Sequence, residues 1–222
     1  MIKLDNITKR YGKNQVLKDI SLEIASGETV AIIGRNGCGK STLLQIMAGC
    51  LKPDSGTLSY YGKEATGHSK VFQSYCGYLP QENPLMEQLS VRDNLKLWKT
   101  SSSQISGKLL EDFGLTDILT KPVIQLSGGM KRRLALACAY INKPPVLLLD
   151  EPTTALDFYH KEVIQRTLAE HRQKKGIVVL ITHDMDEITG SDRCLLVENG
   201  VIRELNKTDI SKTFLAALYK EN

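Results

Sequence analysis

The sequence predicts an α/β fold with a largely parallel sheet covered by helices on both faces. Three observations point there. Short apolar runs of strand length, Thr29–Ile33, Val146–Leu149 and Ile177–Ile181, recur along the 222 residues. Segments of helical periodicity alternate with them. Leu43, Leu44, Ile46, Met47, Cys50 and Leu51 share one stripe, and Leu156–Arg172 reads as a longer helix. Strands that are apolar throughout are those buried on both sides, as in parallel sheets under crossover helices.

Taken in order, the opening third reads as strands and turns. Val16, Leu17, Ile20, Leu22 and Ile24 mark a strand-rich stretch, and Ser26-Gly27-Glu28 is a turn before the run Thr29–Ile33. The glycine-rich segment Gly34–Lys40 follows. A helix through Leu51 comes next, ended by Lys52-Pro53-Asp54-Ser55-Gly56, and Thr57–Tyr61 reads as an edge strand. Ser90-Val91-Arg92-Asp93 has capping-box spacing, with Asp in place of the preferred Glu, and predicts a helix through Trp98. Ser101–Ser103 breaks it, and Lys108–Phe113 resumes helical. Residues 82–135 are therefore expected to form a small helical insert in one domain spanning 1–222. Beyond the strand Ile177–Ile181 come a short helix over Asp184–Thr189 and a hairpin. Cys194–Val197 and Val201–Leu205 are its arms, flanking Glu198-Asn199-Gly200. A last amphipathic helix is expected after Leu205, with Phe214, Leu215 and Leu218 on its apolar side; no regulatory domain is expected there.

Composition excludes several classes. Twenty-nine Lys plus Arg against 25 Asp plus Glu leave a net charge of +4, too weak to imply nucleic acid. The 41% hydrophobic and 24% charged fractions are those of an ordinary soluble globule. No apolar run approaches the ~20 residues that span a bilayer. Met1–Asn6 lacks a signal-peptide core, so the chain is expected in the cytosol. The five cysteines, at 38, 50, 76, 138 and 194, form no Cys-x-x-Cys pair and are expected to be reduced.

The chemistry starts at Gly34-Arg35-Asn36-Gly37-Cys38-Gly39-Lys40-Ser41, which matches G-x-x-x-x-G-K-[ST] between a strand and a helix. Glycines let backbone N–H groups wrap an anion, and the helix beginning at Lys40 aims its positive end at it. Lys40 adds a point charge at the β/γ-phosphates, and the Ser41 hydroxyl is a Mg²⁺ ligand. The loop alone fits a kinase, a GTPase or an ATPase.

Val146-Leu147-Leu148-Leu149-Asp150-Glu151 places two acids at the carboxyl end of a buried strand, where doubly wound sheets bind ligands. Asp150 suits Mg²⁺ held through water, and Glu151 suits a general base acting on water. Leu126-Ser127-Gly128-Gly129-Met130 opens a further helix with a good N-cap, Ser127. It is a second helix start able to meet an anion in the same chain.

With these residues in hand, the chain resembles the ATP-binding subunit of an ABC transporter over essentially its whole length. Gly34–Ser41 resembles the family's Walker A, Leu126–Met130 its signature motif and Val146–Glu151 its Walker B. Thr154-Ala155-Leu156-Asp157 resembles the D-loop, Gln81 the Q-loop glutamine, His183 the switch histidine and Tyr11 the aromatic that stacks on adenine. The resemblance implies a P-loop NTPase core with an N-terminal antiparallel β subdomain and the helical insert. It implies ATP and Mg²⁺ as cofactors. Nucleotide contacts would come from Tyr11, Gly34, Asn36, Gly37, Cys38, Gly39, Lys40, Ser41, Thr42, Ser127, Gly128, Gly129 and Asp157. Ser41, Gln81 and Asp150 would serve the metal, and Glu151, His183 and Gln81 the catalysis. It further implies a head-to-tail dimer, of two identical or two different ATP-binding subunits. Ser127 and Gly129 of one copy would cap the γ-phosphate held by Lys40 of the other, and Asp157 would communicate between the two sites. Integral-membrane subunits would be the partners, with the chain peripheral at the cytoplasmic face of the membrane. Leu85, Met86, Leu89 and Val91 would be candidates for the contact surface or for the core of the insert.

Three departures stand out. Cys38 replaces the family's usual Ser. Met130 replaces Gln, so that Ser127–Arg133 resembles the branch exporting drugs, antibiotics and polysaccharides. Phe158 stands where Pro is common. Two other readings are weighed against a transporter subunit: a soluble ABC-type ATPase with non-membrane partners, as in cluster assembly, and a phosphotransferase outside the family.

Overall fold

The computed structural model describes residues 1–100, 104–206 and 209–210. The chain opens with two long antiparallel strands, β1 (Ile2–Tyr11) and β2 (Asn14–Ile24). Ile2, Leu4 and Ile7 pair with Ile24, Leu22 and Ile20, and all six are buried. β3 (Thr29–Ile33) leads through the glycine-rich loop into α1 (Lys40–Met47). β4 (Ser55–Tyr60) returns to the other side of β1, and the two-residue β5 (Lys63–Glu64) extends it. The first sheet therefore has the order β2-β1-β4-β5. α2 (Ser69–Tyr75) and β6 (Cys76–Leu79) follow.

Between β6 and β7 (Val146–Asp150) lie α3 (Val91–Trp98), α4 (Gly107–Asp112), short 3-10 turns at Thr116–Ile118 and Val123–Gln125, and α5 (Gly128–Tyr140). Next come α6 (Phe158–Gln173), β8 (Ile177–Ile181), α7 (Met185–Gly190), β9 (Arg193–Glu198) and β10 (Val201–Leu205). The second sheet has the order β10-β9-β3-β8-β7-β6, with β10 the antiparallel edge and the rest parallel.

Side-chain alternation assigns each face of this sheet. Val30, Ile32, Val146, Leu148, Ile177, Val179 and Ile181 point into one core, shared with Leu43, Leu44 and Met47 of α1 and the inward residues of the first sheet. Leu147, Leu149, Val178 and Leu180 point the other way, onto Leu134, Leu136, Ala137 and Cys138 of α5 and Ile164 of α6. The same cluster takes in Val91, Leu95, Leu109, Phe113 and Leu115, so α3 and α4 share one core with the sheet. Ala31, Ile33, Cys194 and Leu196 pack on Ile188 of α7. The fully apolar strands are thus covered on both faces, by α1 and the antiparallel sheet on one side and by helices on the other.

Several boundaries move for local reasons. α1 ends at Met47 and not at Leu51. Gly49 turns the chain with φ 72°, and a Cβ there would lie 2.4 Å from the Phe72 ring. β4 is not an edge, because β5 pairs with its outer side. α6 starts at Phe158, not at Leu156, because Asp157 caps it: its Oδ1 accepts the His160 N–H at 2.9 Å. α2 and β6 lacked a sequence signal. α2 buries no residue fully, and β6 is four residues long with Gly77 inside it. The helix after Ser90 forms as its spacing predicts, Ser90 Oγ accepting the Asp93 N–H at 3.1 Å. The Asp93 carboxylate accepts from the Ser90 hydroxyl, at 2.6 Å, in place of the backbone contact a Glu would make. The break at Ser101–Ser103 and the apolar stripe of Phe214, Leu215 and Leu218 lie outside the described residues. Among the described residues, no helix is long and apolar enough to cross a membrane.

Candidate functional site

β3 delivers the glycine-rich loop to the carboxyl edge of the sheet. Gly34 leaves the strand with φ 148° and passes so close to β9 that a Cβ would sit 2.4 Å from the Val197 carbonyl oxygen. Only glycine allows that turn there. α1 starts at Lys40 without any side chain capping its first N–H groups, since its N-cap is Gly39. The Lys40 side chain, only 7% exposed, folds back over the loop and donates to Gly34 O at 2.7 Å and Arg35 O at 2.9 Å.

Two strands over, β7 ends at Asp150, 2% exposed. Burial pushes its carboxyl above the usual carboxylate range, against a hydroxyl bond from Ser41 and the charges of Arg132 and Lys40. Glu151 takes a left-handed backbone, φ 50°, and its N–H donates to Ile181 O at 2.8 Å. That turn aims its carboxylate at the end of β8. There the Glu151 Oε1 lies 3.7 Å from His183 Nε2, while Oε2 accepts from Thr154 Oγ1 at 3.2 Å. The segment that carries His183 is anchored from below. Buried Thr182 donates to the Glu187 carboxylate and accepts the Asp184 N–H at 3.0 Å, and Asp184 pairs with Lys161 of α6 at 2.8 Å.

These elements enclose a cavity of about 470 Å³. It gathers Tyr11, Asn36, Gly37, Gly39, Lys40, Ser41, Thr42, Gln81, Asp150, Glu151 and His183 from five separate segments, with Val16 and Ile181 as apolar wall. Gly34 and Cys38 do not line it. Cys38 is half-buried against the core and, with Asn36 and Gly37, borders an adjoining cavity of about 420 Å³. The remaining expected residues stand elsewhere. Ser127 caps α5, accepting the Met130 N–H at 3.3 Å, and Gly129 packs against the Ala155 carbonyl. Asp157 caps α6 and holds His160 Nδ1 at 2.7 Å. None of Ser127, Gly128, Gly129 and Asp157 reaches the cavity wall.

The cavity fits a magnesium-bound triphosphate on its own chemistry. An uncapped helix start and a lysine that makes no ion pair among the described residues ask for an anion. Ser41, Gln81 and Asp150 offer the hard oxygen donors that Mg²⁺ takes.

Sequence reasoning missed Arg132. It lies in α5, is 4% exposed, and donates to the backbone at both Gln81 and Glu151. No signal in the run Lys131-Arg132-Arg133 singles out its middle residue as the buried one. The four insert candidates also separate. Val91 is fully buried and Leu85 packs on the core, whereas Met86 is 59% and Leu89 38% exposed. Ile124, 52% exposed, joins them, since its N–H donates to Glu87 O at 2.9 Å.

The chain matches the family model described as ABC transporter over residues 17–154. It is 40% identical over 221 residues to the spermidine/putrescine import ATP-binding protein of Spiroplasma citri, covering 92% of this chain and 61% of that protein. It is 37% identical over 207 residues to the Nod factor export ATP-binding protein of Sinorhizobium fredii, covering 90% and 60%. It is 37% identical over 217 residues to the sulfate/thiosulfate import ATP-binding protein of Pectobacterium atrosepticum, covering 92% and 66%. The chain thus spans about three fifths of the length of the curated relatives it matches. Among solved structures it superposes on a dimeric post-hydrolysis ATP-binding cassette bound to ADP and Pi. That match has TM-score 0.83 and 30% identity, covering 93% of this chain and 99% of that one. It superposes also on an ATP-binding subunit of an ABC transporter with TM-score 0.86 and 25% identity, covering 98% and 94%.

Proposed function

The chain belongs to the ABC transporter family, and from that membership we propose that it binds and hydrolyses ATP to drive cargo through separate membrane subunits. The observation that carries the proposal is the separation of two anion-seeking helix starts in one chain. α1 opens into the cavity with Lys40 over it, while the start of α5, capped by Ser127, does not line it. A second copy, turned head to tail, supplies what each cavity lacks. The partner's Ser127 and Gly129 then close over the γ-phosphate held by Lys40, and ATP joins the two copies.

In the closed pair, Tyr11 stacks on the adenine and the N–H groups of residues 36–42 wrap the phosphates. Ser41 and Gln81, with Asp150 acting through water, would hold Mg²⁺, which would supply neutralising charge at the β/γ-phosphates. Glu151 takes the proton from the attacking water, and His183, beside it, holds the γ-phosphate. Asp157, at the start of α6, relays closure between the two cavities. Catalysis is then positioning and charge stabilisation, and loss of the γ-phosphate releases the partner. The exposed Met86, Leu89 and Ile124 supply an apolar face for a membrane subunit, at the cytoplasmic surface.

The test is association. A hydrolysis-deficient Glu151→Gln chain saturated with Mg-ATP is expected to elute as a dimer, and the same chain carrying Ser127→Arg as a monomer. A chain that stays single at high concentration with nucleotide bound defeats the two-copy mechanism. For direction we propose export, supported by Ser127–Arg133 and by the Nod factor exporter among the relatives; two of the three relatives above are importers. ATP-driven accumulation of cargo inside inverted vesicles is the expected result, and efflux from them would reverse the assignment.

A further inference from the structure

Arg132 is the most deeply buried arginine in the described chain, and its guanidinium is spent wholly on other segments' polar atoms. Nη1 donates to Pro80 O at 2.9 Å, Gln81 O at 3.2 Å and Asn83 Oδ1 at 2.9 Å. Nε donates to Glu151 O at 3.2 Å, and Nη2 to Glu151 O at 2.9 Å and to Asp150 O. The planar fork therefore lies between the ends of β6 and β7, parallel neighbours paired at Leu79 and Leu149. These are the points from which Gln81 and Glu151 depart. Glu151 sits there in a left-handed backbone, which persists only where surrounding contacts over-determine it. Burial opposes the arginine charge, and the carboxylates of Asp150 and Glu151 sustain it. Five N–H donors in a fixed plane serve both strand ends at once; a lysine's single nitrogen cannot.

We propose that Arg132 is a positioning residue, which from the start of α5 locks the backbone of Gln81 and Glu151 together so that metal ligand and general base are presented in one geometry. The proposal rests on the roles given to those two residues above. It also makes α5 a mechanical link, since the helix that would cap the partner's nucleotide braces this copy's own reacting groups.

Two variants test it. Arg132→Lys keeps the charge and loses the fork. Asn83→Ala removes one acceptor on the half-buried loop and leaves the arginine in place, and it decides the matter should Arg132→Lys fail to fold. For Arg132→Lys, kcat is expected to fall about tenfold or more, since a misplacement near 1 Å can cost 10²-fold. Asn83→Ala falls less, in the same direction. Affinity for ATP without Mg²⁺ stays within about twofold, because no residue of the phosphate loop is touched. Amide hydrogen exchange in peptides covering 80–83 and 150–151 is expected to quicken in both variants. In a Glu151→Gln background, Arg132→Lys costs less than it does in the wild-type chain, as non-additivity requires of residues that act as a unit. Unchanged exchange, wild-type kcat, or a full additive loss in that background each overturns the proposal. A wild-type chain inactive towards Mg-ATP would defeat the enzyme reading instead, while exchange would still score whether Arg132 fixes the two segments.

Discussion

Replacing Glu151 by glutamine is expected to lower ATP turnover by roughly 10²–10⁴-fold, the range for losing a general base, while Mg-ATP binding stays within about twofold. Glutamine is isosteric, keeps an acceptor for the Thr154 hydroxyl and leaves the backbone contacts to Ile181 and Arg132 in place. The substitution therefore removes basicity and little else. Its electrostatic side effect runs in favour of binding. The Glu151 charge is one of the influences that raise the Asp150 carboxyl, so losing it eases Asp150 into the ionised form that a cation requires. Rapid-mixing measurements of a single turnover separate the two effects. A wild-type rate of bond cleavage would strip Glu151 of the role; a lost affinity would mean that the carboxylate serves the nucleotide and not the water.

Much of this site was legible because its chemistry demands residue types at fixed spacing. The run from Gly34 to Ser41 needs small residues where the backbone bends, then a cation and a hydroxyl, and no ordinary turn imposes that order. The acids at 150 and 151 were legible for a related reason: charge at the end of the buried four-residue apolar run Val146–Leu149 is expensive unless something uses it. Arg132 was not legible in this way. Its partners, Asn83 apart, are carbonyl oxygens at and just past the ends of β6 and β7, and carbonyls carry no sequence signature. The separation of Ser127–Gly129 from the cavity was likewise beyond periodicity, because it depends on how α5 crosses the sheet. α1 shows the limit of pattern reading within one element. Its apolar stripe runs on through Cys50 and Leu51, but the ring of Phe72 leaves room only for glycine at position 49, and the helix stops before the stripe does.

For Lys40→Ala the expectation is a split in sign: weaker nucleotide binding without a loss of stability in the free chain. Among the described residues, no ion pair includes Lys40, and its ammonium donates its hydrogen bonds to the carbonyls of Gly34 and Arg35. A charge so placed is costly to bury and is kept because an anion compensates it. Removing it relieves that cost in the free chain, so its melting temperature is expected to hold or rise. With nucleotide the change runs the other way. Hydrogen bonds to a charged group contribute about 1.5–3 kcal/mol, which corresponds to roughly a 10- to 150-fold loss of Mg-ATP affinity. The rise in melting temperature that saturating Mg-ATP gives should shrink accordingly, since ligand stabilisation follows the logarithm of concentration over Kd. Hydrolysis should fall further than binding, because charge on the γ-phosphoryl oxygens is shifted in the transition state, where Lys40 is placed to meet it. Calorimetric titration and thermal melts with and without Mg-ATP read both arms. Affinity within about twofold of wild type, or a free chain destabilised by many degrees, would show that the lysine braces the loop and does not grip the phosphates.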